Sequence, residues 1–145
     1  MRKLIISLAM IAISLSSINA QNNIKGNVIH LTKAEFLEKV VNYEKNPNEW
    51  NYLGDKPAII DFYANWCPPC KAIAPRLKEL AVEYADEIVI YKVNVDDEKE
   101  LAKAFNIRSI PTLIYAPMKG EPSIIVGGMS KEELVKNIET KLLNK

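Results

Sequence analysis

Cys67 and Cys70 are the only two cysteines among 145 residues, and they stand three apart in the run Trp66-Cys67-Pro68-Pro69-Cys70. At that spacing two sulfurs can close into a disulfide or open to a dithiol. So short a loop constrains the unfolded chain very little, which makes stabilisation a poor reason for the pair to exist. The residues before Cys67 read as a strand and those after it as a helix, so Cys67 falls in the first helical turn. Free backbone N–H groups and the positive end of the helix dipole stabilise a thiolate there. The expectation is an exposed Cys67 of depressed pKa, the nucleophile of disulfide exchange, with Cys70 one turn later, buried and protonated on the apolar face. Pro69 suits an early helical position whose N–H would be unpaired anyway, and Pro68 stiffens the loop further. A structural disulfide and half of a zinc site are the other chemistries open to such a pair. Zinc normally takes four ligands, and the chain offers no second cysteine pair and a single histidine, His30, far away in sequence. Neither a metal nor another cofactor is expected.

The elements that position this pair follow from pattern. Pro57 to Ala64 is almost continuously apolar and flanked by breakers, which predicts a central strand covered on both faces. Asp61 is the exception inside it. A carboxyl desolvated in such a strand has its pKa raised toward a value useful for proton transfer, whereas a solvated acid at a strand end would not. From Cys67 onward, Cys70, Ile73, Ala74, Leu77, Leu80, Ala81 and Tyr84 follow the spacing of one helix face, with Pro75 predicting a kink. Val28 to Leu31 reads as a short strand, and Thr32 to Glu35 as a capping box opening a helix to about Tyr43. Glu44 to Lys56, with Pro47 and Gly54, reads as a loop with room for one helical turn around Trp50. Ile88 to Val95 is the next strand, and Asp96 and Asp97 then favour a helix N-terminus ahead of Leu101, Ala102 and Phe105. Thr112 to Tyr115 and Ser123 to Val126 form an antiparallel hairpin. Gly127-Gly128 ends it, and a second capping box at Ser130 opens a terminal amphipathic helix through Leu142.

The N-terminus begins Met1-Arg2-Lys3 and continues as an apolar run of 15 residues from Leu4 to Ile18, four of them serine, before Asn19-Ala20. That layout predicts a signal peptide over residues 1–20, leaving 21–145 as one domain. A retained membrane anchor is the alternative, but a span needs about 20 apolar residues, so no stable membrane insertion is expected once the signal is cleaved. Losing Arg2 and Lys3 leaves 17 basic against 18 acidic residues. Near-neutrality argues against nucleic acid or a membrane surface as partner, since both require a basic patch. The predicted location is periplasmic or otherwise extracytoplasmic.

Asp61-Phe62-Tyr63-Ala64-Asn65-Trp66-Cys67-Pro68-Pro69-Cys70 and its continuation to Pro75 resemble the active-site strand and helix of thioredoxins. Ile110-Pro111-Thr112 resembles that family's cis-proline loop, and Val126 to Ser130 its glycine-containing turn before the last helix. The resemblance spans roughly Val28 to Leu143. It implies an α/β fold, a mixed central sheet flanked by helices on both faces.

The resemblance also implies roles. Cys67 would attack, Cys70 would resolve the mixed disulfide, and Asp61 would relay the proton of Cys70. Lys92 lies where the family has a lysine near that carboxylate, although a lysine on a strand also serves simply by snorkelling to the surface. Pro111 would be cis and would set the Ile110 backbone beside Cys67 to pair with substrate as an added strand. Trp66, Pro69 and the Gly127-Gly128 turn would form an apolar rim, with Trp66 as core filler the alternative. Pro68 departs from the glycine of most thioredoxins, and a change there moves reduction potential, each 30 mV being about 1.4 kcal/mol. The leading expectation is a monomeric protein-disulfide reductase. Its partners would be disulfide-containing exported proteins and a thiol electron donor, either a membrane reductant or one resembling thioredoxin reductase. A disulfide oxidase or isomerase, and a non-catalytic binding module, remain the competing readings.

Overall fold

The computed structural model describes residues 26–145, so the predicted signal peptide over residues 1–20 and residues 21–25 lie outside the described residues. Five strands form one sheet in the order β1-β3-β2-β4-β5. They are β1 (Val28–His30), β2 (Ala58–Tyr63), β3 (Val89–Asn94), β4 (Thr112–Ala116) and β5 (Ser123–Val126). β1 and β2 flank β3 in parallel, while β4 runs antiparallel to β2 and β5 antiparallel to β4. The sheet is thus mixed, as the resemblance implies.

β2 is the middle strand, and its residues from Ala58 to Phe62 are all buried. One face of the sheet carries α2 (Pro68–Glu83) and α4 (Lys131–Asn137) with its continuation from Ile138, packed through Ile73, Leu77, Leu80, Leu134 and Ile138 onto Ile59, Ile90, Leu113 and Tyr115. The other carries α1 (Lys33–Lys39) and α3 (Lys99–Ala104), packed through Phe36 and Leu101 onto Ile60, Phe62, Tyr91 and Ile114. Two-sided burial is why β2 reads as a continuous apolar run rather than an alternating one. α2 continues unbroken through Pro75.

Both capping boxes form, Thr32 with Glu35 and Ser130 with Glu133. Other boundaries differ from the sequence reading. α1 stops at Lys39 rather than near Tyr43, because Val40 and Val41 turn into the core and the Val40 carbonyl accepts the N–H of Leu53 at 2.9 Å. No helical turn forms at Trp50. The segment folds as turns that lay the indole edge-on to Phe105, ring centroids 6.2 Å apart. Neither Asp96 nor Asp97 caps α3. Asn94 Oδ1 takes the Asp96 N–H at 3.1 Å, and the helix begins beyond Glu98, whose carboxylate instead accepts the N–H of Lys33 at 2.9 Å. The terminal helix widens over Ile138–Leu142 into a π-turn.

Candidate active site

β2 delivers the chain to Trp66, and α2 starts immediately after Cys67, which is the N-cap residue with extended backbone. Pro68 and Pro69 occupy the first two helical positions, where no N–H is required. Cys67 and Cys70 are joined in a disulfide with Cα atoms 5.3 Å apart. The Cys70 backbone N–H donates to Cys67 Sγ at 3.3 Å, so the sulfur occupies the capping position that an oxygen usually fills.

The Ile110–Pro111 peptide bond is cis, and the Ile110 carbonyl oxygen lies 3.7 Å from Cys67 Sγ. Ile110, Tyr63 and Val95 pack against the cluster formed by Ala64, Cys67 and Cys70. This packing corrects one expectation: Cys67 is only 2 % exposed and Cys70 3 %, so in the disulfide form both are covered. Gly127 donates its N–H to the Pro111 carbonyl at 2.8 Å and has φ +104°, a conformation that disfavours side chains. A Cβ placed on Gly128 would stand 3.7 Å from Pro69 Cβ, so this turn lies against the head of α2. Cys67, Cys70, Pro69, Ile110, Pro111 and the glycine turn are therefore brought together from three separate stretches of chain.

Trp66 is 66 % exposed, which rules out a role in the core. Its indole N–H donates to Asp96 at 2.9 Å. Sequence reasoning assigns Asp96 to a helix cap and misses this contact, since nothing in the spacing of two residues 30 positions apart signals it. Equally unread is a groove of about 310 Å³ that flanks Ile110-Pro111 through Ser109 and Thr112 and is lined by Phe105, Ile107, Arg108, Ile124 and Val126. Ile124 and Val126 are more than half exposed. Alternation along β5 is the available signal for them.

Asp61 is 3 % exposed, and its Oδ1 has no hydrogen-bond partner. Burial disfavours the anion and pushes its pKa up to about 7, against a smaller opposing pull from Lys92. Lys92 is the β3 neighbour of Asp61 in register. It is half-buried, and its ammonium lies 5.3 Å from the Tyr63 ring centroid. Desolvation and then Lys78 lower its pKa, while Asp61 raises it. Among the described residues no group of three or more His, Cys, Asp or Glu is placed to hold a metal ion, and no helix is long and apolar enough to cross a membrane.

A mixed five-stranded sheet carrying a Cys-x-x-Cys disulfide at a helix head, faced by a cis-proline turn, defines a protein of the thiol-disulfide exchange class. The thioredoxin family model matches residues 27–140. Thioredoxin from Borreliella burgdorferi is 44 % identical over 110 residues, covering 76 % of this chain and 92 % of that protein. Thioredoxin from Haemophilus influenzae is 40 % identical over 107 residues, or 74 % of this chain and 90 % of the other. The chloroplastic M-type thioredoxin of Spinacia oleracea is 39 % identical over 97 residues, 65 % of this chain and 54 % of its own length. The chain belongs to the thioredoxin family, and it is a protein-disulfide reductase of the thioredoxin type. Membership implies disulfide-containing protein substrates and a reductase that recharges the pair.

Proposed function

We propose that this chain is an exported thioredoxin that reduces disulfides in exported proteins, with Cys67 as nucleophile and Cys70 as resolving thiol. In the dithiol form the Cys67 thiolate attacks one sulfur of a substrate disulfide, forming a mixed disulfide and releasing one substrate thiolate. Cys70 then gives its proton to the Asp61 carboxylate and attacks Cys67 Sγ, which releases the second substrate thiolate. Two electrons have passed to the substrate, the chain is left as the Cys67–Cys70 disulfide, and a thiol donor at the membrane or in the same compartment restores it.

The observation that carries these roles is the Cys70 N–H donating to Cys67 Sγ at the head of α2. A donor already aimed at that sulfur stabilises it as a thiolate leaving group and nucleophile. Asp61, buried and with one oxygen unpartnered, has the properties of a proton acceptor active near neutral pH. Ile110 and Pro111 with Trp66, Pro69 and Gly127 supply the docking rim, where an extended substrate segment pairs with backbone. Export is supported by the basic start, the apolar run and Ala20, all ahead of the matched domain.

The test is the full chain carrying Cys70→Ala, expressed in its own cells, which are then fractionated. The reading requires a chain lacking residues 1–20 in the extracytoplasmic fraction, holding partner proteins through Cys67 that dithiothreitol releases. An unprocessed chain confined to the cytoplasm would refute export, and an absence of Cys67-linked partners would refute the exchange roles.

A further inference from the structure

His30, the single histidine of the chain, has no part in the chemistry above. It is nonetheless in register with it. Across β1, β3 and β2 the strand partners are His30, Lys92 and Asp61, one row on the face that α2 covers. In-register residues of parallel strands project to the same face, as does Tyr63, two residues beyond Asp61. The row runs from an exposed imidazole through a half-buried ammonium to a buried carboxyl.

Tyr63 ties the row together. Its hydroxyl lies 3.4 Å from His30 Nδ1, the two rings meet edge-on with centroids 6.1 Å apart, and the Lys92 ammonium sits over its ring face. With the imidazole neutral and protonated on Nε2, the hydroxyl donates to Nδ1, which fixes the ring. The ring face attracts the ammonium, and the hydroxyl's bond to His30 adds to the packing against Ala64, Cys67 and Cys70 in keeping that face toward Lys92. Lys92 otherwise has good reason to leave, since burial and Lys78 of α2 both disfavour its charge.

We propose that His30 and Tyr63 form a clamp that keeps the Lys92 ammonium beside Asp61, making His30 a positioning residue for the carboxyl's proton exchange. The inference rests on the proton-accepting role given to Asp61 above. The charged and titratable groups facing the row are Lys78 from α2, Tyr115 from β4 and Asp97 beyond β3, besides its own members. Lys78, Tyr115 and Asp97 remain in every variant that tests it.

The measurement is the titration of the Asp61 carboxyl carbon by NMR in the oxidised full chain, which needs no turnover. Lys92→Met removes a cation that favours the anion, so the midpoint rises by on the order of one pH unit. His30→Ala and Tyr63→Phe each raise it by at least half as much, His30→Gln restores it, and His30→Ala adds nothing in the Lys92→Met background. An unmoved midpoint in both His30→Ala and Tyr63→Phe overturns the clamp, as does full additivity with Lys92→Met. Either result leaves the exchange roles of Cys67 and Cys70 standing, because the trapping experiment tests those separately.

Discussion

Replacing Asp61 with asparagine should make the protein's stability less sensitive to pH, and the size of the effect follows from the burial of one carboxyl. In the folded chain its pKa is raised from an ordinary 3.8 to about 7, chiefly by desolvation. A raised acid binds its proton more tightly folded than unfolded. The stability this contributes is fully present below the unfolded value and is lost as pH rises to the folded one, after which it is flat. A tenfold difference in proton affinity is worth about 1.4 kcal/mol, so the whole window amounts to about 4 kcal/mol and the part between pH 5 and 8 to about 3 kcal/mol. Asp61→Asn removes the titration. Its amide introduces an N–H₂ that lacks a partner, costing roughly 1–3 kcal/mol, but that cost does not change with pH. Urea unfolding of the oxidised proteins at pH 5 to 9 should therefore show the variant gaining on the wild type by about 3 kcal/mol between pH 5 and 8, with unchanged urea dependence. Titrating groups not coupled to Asp61 cancel in the difference. A variant whose relative stability is flat across that range would refute the buried-acid reasoning.

Gly127→Ala forces a side chain into φ +104° and should cost on the order of 1–2 kcal/mol of stability in urea melts, while Gly128→Ala, whose Cβ would meet Pro69 Cβ at an ordinary contact distance of 3.7 Å, should stay within about 0.5 kcal/mol. Thr32→Ala removes the hydroxyl half of a capping box and should lower the urea midpoint by the equivalent of about 1 kcal/mol. Trp66→Phe keeps the exposed aromatic surface but loses the donor to Asp96, so kcat/KM for a protein disulfide should fall, with Asp96→Asn showing a smaller loss. Equal rates in Trp66→Phe and wild type would show that the contact does not order the rim.

Much of the fold and of the site is legible in the amino-acid sequence. The run from Pro57 to Ala64 announces a central strand because both of its faces are buried, and Asp61 stands out there for the same reason. Thr32-Glu35 and Ser130-Glu133 announce helix starts because the capping box is local chemistry. What escapes the sequence is decided by partners distant along the chain. The end of α1 depends on Leu53 reaching back to Val40, and the delayed start of α3 on Glu98 being engaged by Lys33. Cys67 reads as exposed because it heads a helix, yet Ile110 from a turn 43 residues away helps cover it. The row from His30 through Lys92 to Asp61 requires the register of three strands, which periodicity does not set.

The Cys67–Cys70 pair works as a reductant of protein disulfides. Equilibration of the purified protein with defined glutathione ratios at pH 7, read by mass after alkylation, tests it most directly. A thioredoxin-type reductase should show a potential in the range of known reductants, about −200 to −270 mV. A value at or above about −150 mV, where protein-disulfide oxidants lie, would contradict it.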